Sequence, residues 1–172
     1  MPPIPRARAH AQFKKLEVAD PAAWAAREQE QPAISRWVLL TGLWRCVEAN
    51  DDGAWIDAHS EDEEDPIATA LQRMIDCGID PADLTAVVRE MQISALENAC
   101  RLLDDGEHGI EDLRESITEV VEWQLAELDS ESGELGRPIE ELHEEFREFD
   151  PTGRGGNPKK RPRRARGTRS QT

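Results

Sequence analysis

The stretch that most constrains this chain runs from Ile79 to Asp105, IDPADLTAVVREMQISALENACRLLDD, because both of its ends are marked for a long helix. Asp80 has a side chain suited to capping. Pro81 fits the first helical position, where a missing N–H costs nothing, and Asp83 complements the positive end of the helix dipole. Gly106 supplies the stop. Leu84, Val87, Val88, Met91, Ala95, Ala99 and Leu102 recur at helical spacing on one face. Ile93, Leu96, Cys100 and Leu103 form a second apolar set, leaving a narrow polar strip of Glu90, Ser94, Glu97 and Arg101, with Glu97 and Arg101 at ion-pair spacing. A helix apolar around most of its girth is expected to be packed on several sides, as the central helix of a small domain.

The same cap-plus-proline signal recurs at Asp20-Pro21 and Asp65-Pro66, and Pro32 restarts the chain into SRWVLLTGLWRCVE. Residues 67–77, 110–121 and 139–149 add amphipathic helical patterns. Between them, 123–138 reads as either a short β-hairpin around Asp129-Ser130-Glu131-Ser132-Gly133 or an extended helix ending at Ser130. The expected fold is therefore mainly α: a bundle of about six helices around 81–105, with room for one small hairpin. The 172-residue length suits one domain.

Charge divides the chain in three. Residues 1–16 carry four bases and no acid, and 153–172 carry eight bases and no acid. The body between them holds nine bases, all Arg, against all 36 acids, a net of −27. The boundaries read from this are a flexible basic segment at 1–19, an acidic helical domain at 20–152 and a disordered basic tail at 153–172. A body of this charge repels nucleic acid and anionic membranes and attracts basic partners. No apolar run approaches a membrane span or a secretory signal, so a cytoplasmic setting is expected. Cys46, Cys77 and Cys100 fall at apolar helical positions without CxxC spacing and read as buried free thiols.

Catalytic motifs are missing. There is no Gly-x-Ser-x-Gly, no phosphate-cradling glycine loop and no paired Glu-x-x-His set, so a non-enzymatic protein without a cofactor is the leading expectation. Glu140 and His143 form a single Glu-x-x-His, which sets them as weak metal-ligand candidates in an alternative reading as a helical metalloenzyme. For the leading reading, an acidic domain binding a basic protein partner in the manner of an immunity protein, antitoxin or adaptor, the candidate contacts are Trp55 and the run Glu61, Asp62, Glu63 and Glu64. Trp24 is a further candidate anchor, whereas Trp37 and Trp44 read as core. A third reading places nucleic-acid or anion contact in the tail, through Lys159, Lys160, Arg161, Arg163, Arg164 and Arg166.

Ile34-Ser35-Arg36-Trp37-Val38 with Leu43-Trp44, Asp83-Leu84 to Met91-Gln92, Leu142-His143-Glu144 and Asp150-Pro151-Thr152-Gly153-Arg154 together resemble small acidic, mainly helical bacterial proteins of an uncharacterised family. The resemblance spans about residues 30–155. It implies a bacterial cytosolic body and brings no activity, cofactor or site residue with it.

Overall fold

Asp20 and Asp80 do what their positions suggest. Asp20 Oδ1 accepts a hydrogen bond from Ala23 N at 3.0 Å and Asp80 Oδ1 one from Ala82 N at 3.0 Å, so each helix starts on a side-chain acceptor followed by proline. In the computed structural model, which describes residues 2–48, 53–61, 67–105 and 123–157, the chain is mainly helical with one two-stranded antiparallel hairpin. The helices are α1 (Arg6–Lys15), α2 (Pro21–Arg27), α3 (Ala33–Trp44), α4 (Ala54–Ser60), α5 (Ala68–Asp76), α6 (Pro81–Asp105) and α7 (Leu142–Glu145), which runs on into a 3-10 turn, Phe146–Phe149. Strands β1 (Ala126–Leu128) and β2 (Leu135–Pro138) form the hairpin. Among the described residues no helix is long and apolar enough to cross a membrane. The expected helix at 110–121 lies outside them.

The chain divides into two units, residues 1–49 with 87–156 and residues 50–86 with 157–172. In the first, Leu40, Trp44 and Val47 meet Ile93 and Cys100 of α6 and Ile139, Leu142 and Phe146 from the C-terminal stretch. Trp44 stacks on Phe146, ring centres 5.0 Å apart, and its Nε1 donates to the Phe146 carbonyl at 2.6 Å. A second cluster joins Ala9 and Phe13 of α1 to Ala25 and Ala33, with Trp24 and Trp37 packed against it. Arg6–Lys15, within the segment 1–19 expected to be flexible, is helical here and contributes to this cluster. Ala9 and Phe13, four residues apart, share one face and are fully buried, and the Ala, Arg, Gln and Lys around them are strong helix formers. Arg6, Arg8, Lys14 and Lys15 stay exposed on α1.

The second unit holds α4, α5 and the first turns of α6. Gly53 precedes α4 at φ +84°, and a Cβ there would lie 2.9 Å from Pro81 Cβ, so both its conformation and the close approach call for glycine. Trp55, expected as an exposed anchor, is 7% exposed: its Nε1 donates to Thr85 Oγ1 at 2.7 Å, and Thr85 passes a bond to the Pro81 carbonyl. A large apolar ring whose one polar atom finds a partner is stable inside.

Helix α6 corrects the sequence reading most. Its inward line is Thr85, Arg89, Ile93 and Cys100, with Leu96 and Leu103 packed beside it. On the other apolar face Val87, Met91, Ala95, Ala99 and Leu102 are exposed, Met91 to 68%, while Leu84 and Val88 are half-buried. Glu97 bonds Arg147 Nε at 3.0 Å and makes no expected pair with Arg101. Cys46 and Cys77 are exposed because they sit just past the ends of α3 and α5, where the chain turns away from packed faces; Cys100 is buried as expected.

The hairpin alternative is the one adopted. Asp129 Oδ1 accepts from Ser132 N and Glu131 N, both at 2.9 Å, and Gly133 N donates to the Asp129 carbonyl at 2.8 Å, closing the turn. Those backbone donors hold the Asp129 carboxyl below its ordinary pKa. Ala126 pairs with Pro138 and Leu128 with Leu135. The helix expected at 139–149 starts late because Glu141 takes a left-handed conformation, φ +59°, before α7.

Candidate functional site

Three charged side chains that sequence patterning leaves unassigned organise the site. Arg36 breaks the apolar run of α3, and Glu28 lies in the link between α2 and α3; they are 2% and 0% exposed. Glu28 accepts the Ile34 N–H at 2.8 Å, serving the start of α3, and pairs with Arg137 Nη2 on β2. Arg137 also donates to the Glu28 carbonyl at 2.8 Å and from Nε to Glu127 on β1 at 2.9 Å. Ser35 Oγ donates to the other Glu127 oxygen at 2.6 Å. Burial pushes the Arg137 pKa down, but its hydrogen bonds and charge pairing with Glu127 and Glu28 more than reverse this and leave it raised.

Arg36 faces a different set. Its Nη1 donates to Gln31 and to Glu141 Oε2 at 3.2 Å, its Nη2 to the Glu141 carbonyl at 3.3 Å. Glu145 Oε2 lies 3.0 Å from Nη2, near enough for an ion pair but not aligned as a hydrogen bond, and the other Glu145 oxygen pairs with Arg27. Arg36 Nε is buried without a hydrogen-bond partner. Two buried or half-buried arginines, with Arg27, thus balance Glu28, Glu127 and Glu145 inside the unit.

Outside that balance lies a cleft. Glu30, Gln31 and Pro32 before α3, Arg36 from α3, and Pro138, Glu140 and Glu141 after β2 line a cavity of about 400 Å³. Glu30 and Glu140 are exposed and neither forms an ion pair among the described residues; Glu140 Oε1 accepts a 3.3 Å bond from the Gln124 amide. The Glu141 side chain remains 59% exposed while touching Arg36. The arginine at the base is already engaged by carboxylates, so the rim keeps an excess of negative charge in a polar recess sized for one or two side chains.

Glu140 and His143 do not converge. His143 turns its Nδ1 to Asp104 Oδ2 at 2.6 Å, and its backbone N–H reaches the same oxygen at 2.8 Å, while Glu140 stands on the cleft rim. Among the described residues no group of three or more His, Cys, Asp or Glu side chains is arranged to hold a metal ion. Burial, with Asp104 and Glu97 adding their charge, raises the Cys100 thiol to about 11, which keeps it protonated and unreactive at neutral pH. Glu61 is exposed at the end of α4. Asp62, Glu63, Glu64 and the tail bases Lys159, Lys160, Arg161, Arg163, Arg164 and Arg166 lie outside the described residues. Trp24 is half-buried between Phe13 and Phe149, with the Arg27 guanidinium 4.8 Å from its ring centre.

A smaller recess, about 280 Å³, is lined by Arg147, Glu148, Gly153 and Gly155. The loop beside it is tied by Asp150, whose Oδ1 accepts from Thr152 N and Oγ1 and whose Oδ2 accepts from Gly156 N, each at 2.8 Å. Gly156 has φ +86°, and a Cβ there would press within 3.1 Å of Ile93 and Arg147. Burial pushes the Asp150 carboxyl upward, but the Gly156 and Thr152 donors, with the Arg89 charge, outweigh it and leave the pKa lowered. A carboxyl depressed in the folded state stabilises above its unfolded pKa of about 3.9 and ceases to do so as pH falls through the folded value. Asp150→Asn is therefore expected to cost about 1–3 kcal/mol at neutral pH, and denaturant titrations should show the gap to the native chain narrowing as pH falls below the ordinary carboxyl value of about 3.9.

The site's key residues were open to one sequence signal: a lone Arg inside an apolar helix needs an acidic partner somewhere. Which acids partner it depends on long-range packing. In comparisons with models of protein families, with curated proteins and with solved structures, nothing matches this chain.

Proposed function

We propose that the chain is a non-enzymatic interaction domain that binds a basic protein partner, as an immunity protein, antitoxin or adaptor does, and that the Glu30–Glu140–Glu141 cleft receives the partner's Lys or Arg side chains. The observation carrying this reading is the charge excess at the cleft: Arg36 is engaged by Glu141 and Glu145, while Glu30 and Glu140 form no ion pair among the described residues. The net charge of −27 over 17–152 supplies long-range attraction, and the exposed Glu61 adds to it. Exposed free thiols at Cys46 and Cys77 fit a reducing cytoplasm.

The test separates the cleft from the bulk charge. A fluorescent arginine-rich peptide is expected to bind the full chain with an affinity that falls as salt rises. Glu30→Gln with Glu140→Gln should weaken it about tenfold, or 1.4 kcal/mol. Glu131→Gln with Glu134→Gln, which removes the same charge at the hairpin turn, should leave affinity nearly unchanged. Equal weakening by both pairs, or no binding at low salt, overturns the cleft as the recognition site.

A further inference from the structure

The exposed face of α6 is a continuous strip without charge. Val87 (57% exposed), Met91 (68%) and Leu102 (38%) lie on it with Ala95, Asn98 and Ala99, all within the first unit. From Val87 to Leu102 it extends about 22 Å at the helical rise. Trp123 lengthens it at one end: its Nε1 donates to the Leu102 carbonyl at 3.1 Å and its ring is 42% exposed. A strip of this size on a protein otherwise covered in charge has no solvation reason to be apolar.

We propose that this face pairs with the same face of a second copy, α6 against α6, antiparallel and centred near Ala95. The strip is self-complementary in that orientation. Large residues stand at both ends, Val87 and Met91 at one and Leu102 at the other, with the small Ala95, Asn98 and Ala99 between them. Two-fold pairing about Ala95 sets each Met91 opposite Ala99 of the second copy, a bulky side chain over a small one, and lets the backbones approach closely. Charge at the edge agrees. Arg101 is exposed and joins no ion pair among the described residues, since Glu97, its neighbour one turn back, is taken by Arg147 at 3.0 Å. The same pairing brings each Arg101 beside Glu90 of the second copy, and Glu90 stays 54% exposed although it touches Arg147 at 3.2 Å. In an antiparallel helix pair like edges meet, so an exposed cation and an exposed acid on a single edge satisfy each other twice across the two-fold.

The pairing rests on apolar contact between bodies that repel each other through their net negative charge. Its salt dependence is therefore opposite to that of the cleft: salt should strengthen the dimer and weaken binding of a basic peptide, so the two readings fail separately. Sedimentation equilibrium of the full chain is expected to give twice the 19.3 kDa chain mass at high concentration and moderate salt. Met91→Glu should return it to monomer with the thermal midpoint that the native chain has at dilutions where it is itself monomeric. Ala95→Cys, in a Cys46→Ser, Cys77→Ser background, should form a reducible intermolecular cross-link under mild oxidation, and Glu61→Cys in that background should not. A monomer under every condition overturns the proposal. So does a Met91→Glu chain that loses stability in place of association, because residues of the same chain would then be what covers the strip.

Discussion

Glu28→Ala is expected to lower unfolding free energy by about 3–5 kcal/mol, the scale for removing one partner from a buried ion pair. The carboxylate is completely inaccessible and serves three ends: it accepts the Ile34 N–H at the start of α3, pairs with Arg137, and sits where Arg137 also grips the Glu28 carbonyl. Its removal leaves a buried N–H without an acceptor and a buried guanidinium with Glu127 as its one remaining carboxylate, beside the backbone carbonyl of residue 28. Domains have about 5–15 kcal/mol in total, so the variant should be largely unfolded at modest urea. Double-mutant analysis gives the diagnostic: once Arg137→Ala has been introduced, Glu28→Ala should cost much less than it does alone. Full additivity in urea titrations would show that the two side chains do not act as a pair.

Trp44→Ala is expected to cost about 3–5 kcal/mol, since the ring lies in the main cluster against Phe146 and its loss leaves a cavity. Trp44→Phe separates packing from hydrogen bonding. It keeps most of the stacked area but leaves the Phe146 carbonyl without its 2.6 Å donor, a loss of about 1–3 kcal/mol. Circular dichroism in urea distinguishes the two. Equal destabilisation by Ala and Phe would assign the whole effect to the hydrogen bond and contradict a core role for the ring.

The helix starts at Pro21 and Pro81 could be read in advance because capping acts over three or four residues and needs nothing from elsewhere. The hairpin turn at Asp129–Gly133 is local in the same way. What eluded the pattern depends on partners distant in the chain. Helix α6 carries two apolar arcs, and periodicity cannot rank them; the arc containing Ile93 and Cys100 is inside because Leu40, Trp44 and Phe146 meet it. Helix α1 looked like a loose basic end until Ala9 and Phe13 found Ala25 and Ala33. The cleft was the least legible. Glu30 and Glu141 are ordinary surface acids in sequence, and they acquire a shared recess only when the end of β2 comes alongside the start of α3.

The ionic links at the start of α3 also set a timetable for folding. Arg137 and Glu28 are 109 positions apart, and Arg27 and Glu145 118. A ribosome will have released α1, α2 and α3 long before the arginine that neutralises Glu28 exists. Until then that carboxylate must stay in water, and the link between α2 and α3 with it. The closing event joins two distant parts of the chain, which favours slow, late consolidation. Pulse-labelled hydrogen exchange should find the Ile34 amide protected in the last phase, together with the hairpin strands and after the amides within α1 and α2.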